Sequence, residues 1–224
     1  MASPFVGRMW GWVVVGMAVV DVAHAAASCA PSAPARLLER FVPADCERCW
    51  QGDATTPDAK AALVIDWITP ASNDAPLASA ALSEALARAG KTPSGATFVK
   101  ASALRRKGAP QLRIVDGPAW NGYIGLRLQV TRRAAVPPGA VAYVALVEQV
   151  PAGSEGSAIE RHLVRAVAGP MGLAELATEP KIEHLRAVRV PPSSRADRLA
   201  SVAWVETRRG EVIAAVASPP PECR

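Results

Sequence analysis

The apolar positions of this chain follow two patterns, one on either side of residue 110. On the N-terminal side they come mostly as short continuous runs. The first is Met9 to Val20, with Arg8 before it and Ala23-His24-Ala25 after it. A positive start, a short apolar segment and small residues at −3 and −1 are the parts of a signal peptide, here residues 1–25. Residues 30–36 hold small residues and prolines and read as a linker. Arg36 to Val42 has a β-branched and aromatic end before Pro43, the pattern of a strand. Ala61 to Ile68 is an apolar run of strand length, interrupted only at Asp66, which predicts a strand covered on both faces, as in a parallel sheet. Leu77, Ala81, Leu82, Ala85, Leu86 and Ala89 then recur at helical spacing. Asn73-Asp74 offers the N-cap, Pro76 the first turn and Gly90 the stop. Glu84 and Arg88, four apart, fall on the outer face of that helix. Ala96 to Val99 reads as another strand.

Beyond residue 110 the helical period disappears. Leu112 to Val115 is short and β-like. Ile124, Leu126, Leu128 and Val130 alternate with Gly125, Arg127 and Gln129, a half-buried strand by period two. Pro137-Pro138-Gly139 is a turn and Val141 to Val150 a long apolar strand. In the next strand Ile159, Arg161, Leu163, Arg165 and Val167 share a face. Pro191-Pro192 breaks the chain. Val202 to Val205 and Val212 to Ala214 flank Arg208-Arg209-Gly210, a hairpin. Short strands at this spacing predict an antiparallel β-sandwich.

Composition narrows the function classes. Half of the 224 residues are apolar, enough for a core. The net charge is +5, but the basic residues are scattered as Arg105-Arg106-Lys107, Arg132-Arg133 and Arg208-Arg209. Without a block of like charge and with few aromatics, no nucleic-acid partner is expected. No apolar run after the signal peptide reaches the roughly 20 residues of a span, so the mature chain is expected to lack a transmembrane helix. The chain is expected to be periplasmic or secreted. An uncleaved anchor is one alternative. Lipidation at Cys29 is another, since Ala26-Ala27-Ser28-Cys29 distantly resembles a lipobox but lacks the usual Leu at its start.

The four cysteines are Cys29, Cys46, Cys49 and Cys223. An even count in an exported chain favours disulfides, and three connectivities are open. The simplest joins Cys46 to Cys49 and leaves Cys29 with Cys223. Asp45-Cys46-Glu47-Arg48-Cys49-Trp50 is a Cys-x-x-Cys turn, a spacing that suits an exchangeable disulfide, a structural one, or half a metal site. Gly52 and Pro57 leave room for little more than one helical turn behind it. His162 and His184 are the histidines beyond the signal peptide, and neither has metal-ligand spacing. No cofactor or metal is expected. There is no P-loop, dinucleotide fingerprint or paired-carboxylate motif.

These parts resemble a family of secreted bacterial proteins with a thioredoxin-like front and a β-sandwich back. The matching stretches are Asp45 to Cys49 after a strand, and Leu63 to Trp67 followed by Ala75-Pro76-Leu77-Ala78-Ser79 and the helix. Further matches are Thr92-Pro93, Gly153-Ser154-Glu155-Gly156 with Ile159 to Gly169, and Glu211 to Ala215. The resemblance implies an α+β protein: a shortened thioredoxin-like α/β domain over 30–108, then an antiparallel β-sandwich over 109–224. It also implies a cis-proline at Pro93 facing the cysteines. Cys46 would be the solvent-facing nucleophile and Cys49 the resolving thiol, with other envelope proteins as exchange partners. The rival is a non-catalytic cell-envelope binding or structural module whose disulfides are structural. Whether the chain is an enzyme stays open at this level.

Overall fold

The computed structural model describes residues 34–52, 62–90, 95–105 and 107–219. The signal peptide, Cys29, Cys223 and Pro93 lie outside the described residues. In chain order the elements are β1 (Arg36–Pro43), α1 (Glu47–Gln51), β2 (Ala62–Thr69), α2 (Ser83–Ala89), β3 (Phe98–Ala103) and β4 (Gln111–Trp120). There follow β5 (Tyr123–Thr131), β6 (Val141–Val150), β7 (Arg161–Gly172), β8 (Lys181–Arg189), β9 (Leu199–Glu206) and β10 (Val212–Ala217).

Seven strands form one mixed sheet in the order β10-β9-β6-β7-β2-β1-β3, and three form a second, β4-β5-β8. β2 runs parallel to both neighbours, β1 and β7, which explains a run that is apolar from Ala62 to Ile68 except at Asp66. The other pairs in both sheets are antiparallel.

The expected thioredoxin-like α/β front is corrected by this topology. Among the described residues the α-helices are one of 5 residues and one of 7, against ten strands. β1, β2 and β3 do not close into a unit of their own. β2 pairs with β7 through Asp66 and Leu163, so the front strands extend a sheet whose other strands come from beyond residue 140. The strand and helix patterns of the front are local, and they carry no information about a partner strand about 100 residues away.

Alternation along the strands assigns the layers. Phe41, Ile65, Trp67, Val202 and Trp204 face α2, whose Ala85 is fully buried against them. Val42, Ile68, Val150 and Leu163 face the other way and pack on Trp50 of α1. On that same side, Val144, Leu146, Ala203 and Val205 meet Ile114, Leu126 and Leu128 of the three-stranded sheet. The back half is thus sandwich-like over part of the large sheet, with α1 and the three-stranded sheet side by side.

The helix expected to open at Asn73-Asp74 begins later. Ala81 forms a parallel bridge with Ile68, and Leu82 N–H donates to the Ile68 carbonyl at 3.1 Å. That sheet contact holds Ala81 and Leu82 extended, so α2 starts at Ser83. Its end is as expected: Gly90 has φ of 70°, the left-handed cap that glycine adopts without strain.

Candidate functional site

The cysteine turn is positioned by the end of β1. Pro43 lacks an N–H and terminates the strand, and its carbonyl accepts from Cys46 N–H at 3.0 Å. Cys49 N–H returns to the Cys46 carbonyl at 2.9 Å, which starts α1. Cys46 and Cys49 are joined as a disulfide, with Cα atoms 5.2 Å apart. Their order of exposure is the reverse of expectation: Cys46 is 6% exposed, and Cys49 is the more accessible residue. Cys46 nevertheless borders an open cavity of about 370 Å³ with Asp45, Glu47, Arg48 and Gly95. The Gly95 carbonyl oxygen lies 3.8 Å from Cys46 Sγ and 3.9 Å from Cys49 Sγ. A disulfide has no hydrogen to donate, but either reduced thiol would find an acceptor there.

Behind the disulfide is a buried ionic cluster that periodicity does not mark as a site. Asp66 on β2 is fully buried. Its Oδ2 accepts from Arg40 at 2.7 Å and from the His162 backbone N–H at 2.9 Å, and its Oδ1 accepts from Arg161 at 3.1 Å. Arg161, also fully buried, spreads its guanidinium over the C-terminal end of α1. It donates to the carbonyls of Trp50 at 2.7 Å and Cys49 at 3.2 Å, groups that a 5-residue helix leaves without intrahelical donors. The same guanidinium lies 5.1 Å from the centre of the Trp50 ring. The Gly-rich turn before β7 closes over this arrangement. Glu155 C=O accepts Trp50 Nε1–H at 2.8 Å, and Ser157 Oγ accepts from Arg161 Nε at 3.1 Å. Glu155 and Gly156 take φ of 50° and 74° to make that turn.

His162 has an acceptor at each ring nitrogen: the Val64 carbonyl 2.9 Å from Nδ1 and Glu160 Oε1 3.0 Å from Nε2. Burial alone would push its pKa down. Glu160, the Val64 carbonyl and the charge of Asp66 outweigh it and hold the imidazole above 6.5. A raised folded-state pKa means that protonated His162 stabilises the fold. That contribution is complete below about pH 6.5 and is lost as pH rises through the folded value. Glu160→Gln is therefore expected to lower the His162 pKa, read from imidazole chemical shifts against pH. An unchanged midpoint would mean that Glu160 does not supply the shift.

A second buried cluster lies on the α2 side. Arg88, placed by spacing on an outer face beside Glu84, instead turns inward. It donates bidentately to fully buried Glu39, the second bond to Oε2 at 3.1 Å, and to Glu206 at 2.7 Å. It also lies 4.5 Å over the Trp204 ring, on which Tyr143 stacks. The i,i+4 rule accounts for neighbours on one helix; it does not see a carboxylate from β1 rising to meet it. Glu39 shares its carboxylate with Trp67 Nε1–H at 3.2 Å, so the cluster fastens α2 to the sheet. Trp67 is fully buried in this core. Trp120, by contrast, is 81% exposed at a hairpin end.

The fold has a likeness among solved structures. It resembles HBP35 of Porphyromonas gingivalis. The TM-score is 0.56 over 84% of this chain and 76% of that one, at 10% sequence identity. At that identity the likeness shows the fold alone. No protein-family model and no curated protein matches the sequence. No helix among the described residues is long and apolar enough to cross a membrane.

Proposed function

We propose that this chain is an exported thiol–disulfide exchange protein of the cell envelope, acting through Cys46 and Cys49. The observation that carries the reading is the Cys-x-x-Cys disulfide bordering an open cavity, at a turn backed by a fixed frame. In the step proposed, an incoming thiolate attacks Cys46 Sγ from the cavity. The Cys46–Cys49 bond breaks, and Cys49 leaves as a thiolate that takes up a proton. A second thiol of the partner then loses its proton and displaces Cys46, so the partner gains a disulfide and the protein keeps two thiols. The reverse sequence reduces a partner disulfide. Glu47 and Asp45 oppose the effect of Arg48 on a thiolate here, so exchange is expected to be slower than in a dedicated oxidase.

The second reading is a non-catalytic binding module with a structural staple. The low exposure of Cys46 and the arginine clamp on α1 favour it. Trapping separates the two. Under the exchange reading Cys49→Ser accumulates a mixed disulfide through Cys46 in envelope extracts, and Cys46→Ser accumulates little. The purified protein's bond then equilibrates with glutathione. If Cys49→Ser captures nothing and the wild-type bond has a potential below about −300 mV, as structural disulfides do, the staple reading stands.

A further inference from the structure

We propose that the outer face of the β4-β5-β8 sheet is a docking surface for an extended acidic and apolar segment of a partner polypeptide. Inward residues of this sheet, such as Ile114, Leu126 and Ile182, form the sandwich core, so alternation turns the intervening residues out. Those outward positions mix charged side chains with large apolar ones. Five large apolar residues are exposed among the described residues, and four lie on this sheet: Trp120 at 81%, Leu185 at 61%, Tyr123 at 49% and Val115 at 43%. Clustered exposed apolar groups mark interfaces more than scattered ones do.

Register makes the surface a trough. Val115, Arg127 and Leu185 are opposite one another across the three strands, and so are Arg113, Gln129 and Glu183. Beyond them Gly125 faces Ala187, with Gly117 beside it, and this row of small residues floors a cavity of about 740 Å³. A Cβ added to Gly125 would meet nothing within 4 Å. Three strands span about 10 Å, the width of one extended chain with its side chains. A flat bilayer would rest on the rim and leave this floor uncovered, whereas a single strand reaches it.

Charge selects the partner. Arg113, Arg127 and Arg189 are exposed at outward positions of these strands. Glu183, 3.6 Å from Arg127, is the one exposed acid there, and Asp116, which also lines the cavity, is buried. At the end of the trough the Asn121-Gly122 turn, with φ of 49° and 77°, places Trp120 and Tyr123 as a cross-strand pair. Trp, Tyr and Arg are the residues that dominate protein-binding hot spots. This surface is independent of the cysteines and of any redox role.

Binding is tested by fluorescence anisotropy with a dye-labelled ten-residue peptide of alternating Glu and Leu. A Lys–Leu counterpart and phosphatidylglycerol vesicles are run beside it. The Glu–Leu peptide is expected to bind saturably and to weaken with salt, and the Lys–Leu peptide is not. Arg127→Glu should weaken binding at least tenfold. Gly125→Leu should do the same by filling the trough, and the open space there makes it compatible with folding, checked by circular dichroism. Absence of saturable binding, equal binding of both peptides, or indifference to both substitutions overturns the proposal. Vesicle binding without peptide binding also overturns it, and assigns the face to a membrane.

Discussion

Asp66→Ala is expected to lower the unfolding free energy by about 3–5 kcal/mol, because it leaves two buried guanidinium groups without their shared carboxylate. Arg40 and Arg161 have side chains 3% and 0% exposed, so water cannot replace the lost partner without opening the structure. Asp66 also accepts the His162 N–H beside the pairing of β2 with β7, so the loss falls on the seam between the front strands and the rest of the sheet. Urea denaturation checks the magnitude. The ionic cluster is not thereby the best solution for stability. Arg40→Met, Asp66→Leu and Arg161→Met combined remove every charge at once, and such replacements are often neutral or stabilising. Here the triple variant should recover only part of the loss. Without Arg161 the carbonyls of Cys49 and Trp50 lose the guanidinium that donates to them, at a cost of about 1–3 kcal/mol. Full recovery would mean that the clamp on α1 contributes nothing, and a loss under 1 kcal/mol for Asp66→Ala would mean that the guanidiniums are solvated.

The ease of reading this fold from its sequence followed the range of the forces involved. β1, β2, β5, β6 and the β9–β10 hairpin announce themselves because alternation, apolar runs and turn residues act within ten residues. The short α1 was legible from Gly52, the stop that its C-cap position bears out. Contacts over 90 or more residues were not legible. By alternation Arg161 is one of a row facing the same way; nothing in that row distinguishes a guanidinium that will meet Asp66 95 residues back. The thioredoxin-like reading fell for the same reason. Its local matches at the cysteines and at β2 are present, but the sheet is completed by β7 rather than closed at residue 108. At the site, the Cys-x-x-Cys spacing predicted the disulfide, because two thiols one helical turn apart can meet. It could not predict the exposure of each sulfur, which depends in part on Gly95, more than 40 residues further along the chain. A buried Glu39 or Asp66 within an apolar strand is the one local signal that was available: a charge in such a run needs a partner, and its presence predicts one.

Trp50→Ala is expected to cost about 3–5 kcal/mol, the usual loss for a buried tryptophan. The ring fills the space between Val42, Ile68, Val150 and Leu163, and it is the one buried side chain of α1. Its loss also removes the bond to the Glu155 carbonyl and the face on which Arg161 rests. Trp50→Phe keeps most of the packing and loses the indole N–H, and should cost about 1 kcal/mol beyond the small change in volume. The two variants separate stability from redox access. α1 is a single turn, and Cys49 and Trp50 are neighbours in it, so detaching the ring frees the chain that carries the second sulfur. Glutathione should then reduce Cys46–Cys49 at least ten times faster in Trp50→Ala than in the wild type, with Trp50→Phe close to wild type. Measured in native buffer, that acceleration would show that the tryptophan and the arginine clamp limit access to the bond. If stability falls as expected while the reduction rate stays unchanged, access is set at the cavity mouth by Gly95 and Arg48, and the frame behind α1 serves the fold alone.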